Sequence, residues 1–92
     1  MALNRLCAQL AFAAQARGVL LLDEDGDELA RHGRCELSES RTHISMVAQR
    51  AILIILHDER TSAALVRQRV REARPRLERA LDDRLAQRAQ QL

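Results

Sequence analysis

RAILIILHDERTSAALVRQR, residues 50–69, is the stretch whose reading decides the fold. It opens with an unbroken apolar run, Ala51 to Leu56, turns through a polar corner, His57 to Arg60, and passes Thr61 and Ser62 into helical spacing. The run is too short for a membrane span and dense in isoleucine, so the order reads strand, corner, helix. Ile52, Ile54 and Leu56 fall on one face of that strand, Leu53 and Ile55 on the other. A strand apolar on both faces belongs in the middle of its sheet and needs cover on both sides. Thr61 or Ser62 is the expected N-cap of the helix that follows.

Toward the N-terminus, Thr42 to Val47 alternates as a half-buried strand, and Ala48-Gln49 joins it tightly to the central one in a hairpin of uncertain turn type. Further back, Val19 to Leu22 is a second short strand apolar on both faces. Asp25-Gly26 reads as a hairpin turn with positive φ at both residues, and Leu29 to Cys35 as the returning strand at a wet edge. Leu3, Leu6, Cys7, Leu10, Ala13 and Ala14 form one helical stripe, with Gly18 read as its C-terminal cap. Beyond Ser62, the apolar positions from Val66 to Leu85 step by threes and fours, giving an amphipathic helix to about Gln90. Pro75 lies inside it and removes a backbone hydrogen bond. A kink is expected there, two helices meeting at Arg74 being the alternative, because the stripe keeps its phase. Residues 1–92 make a single domain of helix, hairpin, hairpin, helix, with both helices on one face of an antiparallel sheet.

Composition excludes several functions. Phe12 is the sole aromatic residue, which disfavours base stacking and sugar binding. All fifteen basic residues are arginine, and they are unevenly spread. Nine fall in Arg60–Leu92 against Glu72, Glu78, Asp82 and Asp83, a net +5, while Met1–Glu59 carries −3. A basic helix can meet nucleic acid or an acidic protein, but interleaved acids favour an ordinary solvated face. Cys7 and Cys35 lack CxxC spacing, no signal peptide or membrane span is seen, and the chain reads as cytoplasmic with reduced cysteines.

Candidate chemistry is thin. The acidic DEDGDE turn places its glycine fourth, where a calcium loop needs it sixth, so it reads as a plain turn. His32, His43 and His57 lack metal-ligand spacing, and no Gly-rich phosphate loop is present. No catalytic, cofactor-binding or metal-binding residue is assigned, and the chain is read as a non-enzyme.

RAILIILHDERTSAALVRQRVREA, residues 50 to 73, closely resembles the last strand and C-terminal helix of Roadblock/dynein-light-chain proteins, nearest the bacterial MglB type. GVLLLDEDGDELARHG, residues 18 to 33, resembles their first hairpin, and Met1–Arg17 fits their first helix. The family carries a long helix and a further strand between its second and third strands, whereas Cys35 to Arg41 alone fills that place here. The resemblance implies an α+β fold with a four-stranded antiparallel sheet, strand order 2-1-4-3. Both terminal helices then lie on one face, in a truncated Roadblock-like (profilin/longin-like) architecture. The link must cross about 14 Å of sheet at about 4.8 Å per strand, which its extended reach of about 20 Å allows.

Without the family's central helix, one apolar sheet face is left bare, and soluble monomers rarely expose several hundred Å² of such surface. Leu20, Leu22, Ile44, Met46, Ile52, Ile54 and Leu56 are therefore the expected interface with a second chain, either a copy of this one or a Roadblock-type protein. Asp58, Arg60, Thr61 and Ser62 form the helix-opening corner, expected to serve structure first and partner contact second. The resemblance implies a non-catalytic interaction module that regulates or scaffolds a small Ras-like GTPase. A structural homodimer or a partner of a full-length Roadblock protein is the alternative; an arginine-rich nucleic-acid binder is the weakest reading.

Overall fold

The computed structural model describes residues 2–36 and 41–90. Its elements are α1 (Ala2–Ala14), β1 (Gly18–Leu22), β2 (Glu28–Gly33), β3 (Arg41–Val47), β4 (Ala51–His57) and α2 (Ala63–Gln90). The strands form one antiparallel sheet in the order β2-β1-β4-β3, as expected. β4 is internal and pairs along its length, Ile52–Leu56 with β1 and the whole strand with β3.

Both helices cover the same side. α1 lies over β1 and β2, and α2 packs beside it and reaches β3. Their layer holds the core: Leu3, Cys7, Leu10 and Ala14 of α1, Val66, Val70, Leu77 and Leu81 of α2, and Val19, Leu21, Val47, Leu53 and Ile55 of the sheet. The period-two alternation of β1 and β4 sends every second aliphatic into this layer. A fully buried residue such as Leu53 contributes on the order of 2–5 kcal/mol relative to alanine.

The first helix ends differently from the sequence reading. Gly18 is the first residue of β1, not a cap. Gln15 takes the left-handed conformation (φ 56), while Ala16 N–H donates to Ala11 O and Gln15 N–H to Phe12 O. This is a Schellman closure with glutamine where glycine is usual. Gly18 is needed for another reason: a Cβ there would collide with the Arg34 carbonyl oxygen. Its cross-strand partner Gly33 has φ 76, and a Cβ there would collide with the Arg17 carbonyl oxygen.

The hairpins also differ in detail. In the first, Gly26 alone has positive φ (86), Gly26 N–H donates to Asp23 O, and Asp23 N–H donates to Asp27 O. A three-residue loop thus replaces the two-residue turn, and Leu29 bulges where the register shifts. In the second, Ala48 and Gln49 both have positive φ (55 and 56), and Arg50 N–H donates to Val47 O. That is type I′ geometry, the one that follows strand twist, adopted here without glycine. α2 is a single helix through Pro75.

The link after β2 begins over β1. The Arg34 backbone and Cys35 Sγ lie over Gly18 on the side away from the helices, and Cys35 Sγ–H points to Val19 O at 3.8 Å. Residues 37–40, which complete the expected crossing, lie outside the described residues.

Two substitutions test these backbone claims. Gly33→Ala combines positive φ with a backbone clash and lowers stability by about 2 kcal/mol or more in urea unfolding. Gln49→Gly relieves a left-handed residue and raises stability by about 0.5–1 kcal/mol, about 2–8 °C in Tm.

Candidate functional site

The face of the sheet away from the helices presents two aliphatic rows. Leu20, Ile54 and Ile44 are cross-strand neighbours on β1, β4 and β3, and Leu22, Ile52 and Met46 form the next row. Ile44 and Met46 are 65% and 54% exposed, whereas Leu20, Leu22, Ile52 and Ile54 are half-buried by their neighbours. On β2 the rows end at Arg31 and Glu28, whose side chains pair at 2.9 Å and give the patch a polar rim. Leu56 does not share this exposure. It is fully buried beside Gly18, over which the start of the link passes, so its expected place on an exposed partner surface is corrected.

The corner after β4 is a junction. Asp58 Oδ1 accepts from Arg60 N–H (2.9 Å), Thr61 N–H (3.1 Å) and the Thr61 hydroxyl (3.3 Å). The Thr61 hydroxyl also lies 3.0 Å from Gln15 O at the end of α1. Of the two N-cap candidates, Ser62 is the one used: its Oγ accepts Leu65 N–H at 3.3 Å. Arg17 N–H donates to Leu56 O at 2.7 Å, and its guanidinium stands 4.0 Å from Asp58. The Arg60 N–H bond, then those from Thr61 and the Arg17 charge, hold the Asp58 carboxyl below its ordinary value despite partial desolvation. All four corner residues are therefore brought together at the joint between the helices and β4, and Arg60 contributes through its backbone.

The remaining titratable groups are dispersed. The Asp23, Asp25 and Asp27 carboxylates come within 4.8 Å of one another, but Asp23 Oδ1 accepts Asp25 and Asp27 N–H at 2.9 Å each, as an aspartate does in a turn. His57 is buried with Nδ1 3.2 Å from Asp58 O, and His32 is exposed on β2. Burial pushes the Cys7 thiol up to about 11, with Cys35 adding to the shift, so it is a packing residue. The sequence reading missed one cluster. Arg67, Arg71 and Arg74 of α2 gather beside His43 and Ser45 of β3. Arginines at i, i+4 and i+7 mark one helix stripe, but only the packing reveals which strand faces them.

Strand order, the one-sided pair of helices and the hairpin–hairpin connectivity define a Roadblock-like fold. Solved MglB structures share it. Myxococcus xanthus MglB superposes with a TM-score of 0.75 at 20% identity, covering 88% of this chain and 95% of that one. "MglB with tetrameric arrangement" gives 0.75 at 14% identity, covering 88% of each chain. The gliding protein MglB from Thermus thermophilus gives 0.74 at 14%, covering 88% of this chain and 89% of that one. No protein-family model matches the sequence, and no curated protein matches it.

The corner carries a pH signature. Because the folded Asp58 value is depressed, its contribution is complete above the unfolded carboxylate pKa, about 3.9, and is lost as pH falls through the folded value. Asp58→Asn keeps the acceptor oxygen, so it retains more stability at neutral pH than Asp58→Ala and shows less additional loss than wild type between pH 5 and 2. Urea midpoints across that range measure the difference.

Proposed function

We propose that the chain is a non-catalytic, Roadblock-like interaction module whose open sheet face docks a second chain, and that the assembly regulates or scaffolds a small Ras-like GTPase. The observation that carries the docking is the pair of aliphatic rows, with Ile44 and Met46 mostly exposed at their β3 end. A contiguous apolar surface bordered by an ion pair has the composition of an interface centre with a polar rim. The GTPase is inferred from the resemblance to the MglB type together with the shared fold. In such a scheme the module arranges the GTPase's own groups and contributes no nucleophile or base. Among the described residues no helix is long and apolar enough to cross a membrane, which is compatible with this reading.

A second copy is the preferred occupant because a self-complementary sheet face suits a two-fold dimer. One of the solved structures with this fold is described as having a tetrameric arrangement. A Roadblock-type partner of different sequence is the alternative occupant. Nucleic-acid binding through α2 is disfavoured by the near absence of aromatic residues and by the acids interleaved among its arginines. Such binding predicts affinity falling steeply with salt, and its absence at low salt removes that reading.

Light scattering on the purified chain is expected to give a dimer mass, reduced to the monomer by Ile44→Asp with Met46→Asp. Both side chains are exposed in the single chain, so circular dichroism remains that of wild type. A wild-type monomer at every concentration contradicts self-docking, and co-elution with a Roadblock-type protein then tests the alternative. The GTPase arm is separate: a cognate Ras-like GTPase co-elutes with the chain and changes its rate of GTP hydrolysis. No complex and no rate change would sink direct regulation.

A further inference from the structure

On the helix side of β3, opposite Ile44 and Met46, α2 sets three arginines against the strand. Arg67, Arg71 and Arg74 share one helix stripe, and with His43, Ser45 and Val70 they line a recess of about 280 Å³. Among the described residues no carboxylate lines it. The nearest acid along α2, Glu72, turns to the other side, where it accepts from Arg69 at 3.0 Å and Gln68 at 3.2 Å. Among the described residues neither Arg67 nor Arg71 forms an ion pair. Arg74 is held in place by neutral acceptors alone: Nη2 donates to Ser45 Oγ at 2.7 Å and Nη1 to Met46 O at 2.9 Å. Three arginines thus line one concavity that no carboxylate among the described residues lines. His43 responds to this field. Burial, then the Arg67 charge, then His57 and Arg74, push its imidazole below the ordinary value.

We propose that this recess binds a phosphate-type oxyanion, with Arg67 and Arg71 as its charged donors and Arg74 fixing the wall behind it. The donor set matches that chemistry. Guanidinium groups offer forked N–H pairs suited to phosphate oxygens, and the Ser45 hydroxyl, which accepts from Arg74, keeps its own hydrogen to donate. A neutral His43 adds one ring N–H and becomes the cation more readily once a dianion is beside it. Two accepting oxygens, as on a carboxylate, leave part of this set unused; a tetrahedral oxyanion uses more of it. The group can arrive as free inorganic phosphate or on a small phosphomonoester. This site lies on the opposite side of β3 from the proposed docking face and does not depend on it.

The test is a titration with sodium phosphate, glycerol phosphate and sodium acetate at fixed ionic strength and neutral pH, followed by the His43 ring-proton signals and by Tm. Phosphate is expected to shift the His43 signals saturably, raise the His43 pKa and raise Tm, with acetate doing neither. Arg67→Ala with Arg71→Ala, both exposed positions, weakens phosphate binding by at least about tenfold. Arg76→Ala with Arg79→Ala removes the same charge outside the recess and leaves binding unchanged. Glycerol phosphate binding as well as phosphate assigns the site to a monoester, and binding of inorganic phosphate alone assigns it to the free ion. Equal responses to phosphate and acetate, or binding equally weakened by both arginine pairs, overturns the proposal.

Discussion

β4 cannot be satisfied by one layer of helices. It carries large aliphatics on both faces, so any sheet that contains it must cover or abandon one side of Ile52-Leu53-Ile54-Ile55. The helices take Leu53 and Ile55, which become fully buried, and Ile52 and Ile54 are left to their cross-strand neighbours. Placing β4 between β1 and β3 is the arrangement that shields them most. Leu20 and Leu22 flank them on one side, Ile44 and Met46 on the other, and the exposure passes outward to the edge strand. The open face is therefore a consequence of having helices on one side only, and its apolar character is carried by the same strand that holds the core together.

The corner at Asp58–Ser62 makes that one-sided packing specific. Asp58 organises the chain as it leaves β4, Ser62 caps α2, and Thr61 reaches across 46 positions of sequence to the Gln15 carbonyl just past α1. The α1 terminus has orphan carbonyls to satisfy, and a left-handed Gln15 both closes the helix and presents its own oxygen to Thr61. A single polar junction thereby sets the spacing of two helices and a strand. Its cost is modest, because each buried polar group finds a partner.

β3 acquires two chemically different sides from the same geometry. As an edge strand it shows Ile44 and Met46 to the open face and His43 and Ser45 to α2, and the alternation of the strand keeps the two sets apart. Arg74 bridges them by gripping the β3 backbone at Met46 while holding Ser45. An apolar surface and a cationic recess can coexist on one strand because neither borrows side chains from the other.

How far the residues alone reach depends on how local the signal is. Strand density in Ala51–Leu56, the period-two pattern of Thr42–Val47 and the threes-and-fours of α2 are local, and they led to the right elements and, with the resemblance, to the right strand order. Turn chemistry was less legible: Gly18 is required by the approach of Arg34 and not by a helix end, and the I′ turn at Ala48-Gln49 lacks the glycine that marks one. The same division governs the surfaces. Sequence established that Ile52, Ile54, Leu20 and Leu22 form one face, because alternation along a strand is set by the pleat. Only the tertiary structure decided that Leu56, on that same face, is covered and that three arginines of α2 meet His43 and Ser45. Both depend on where a distant segment passes, the link over Gly18 in one case and α2 along β3 in the other, and no periodicity within a segment encodes such a meeting.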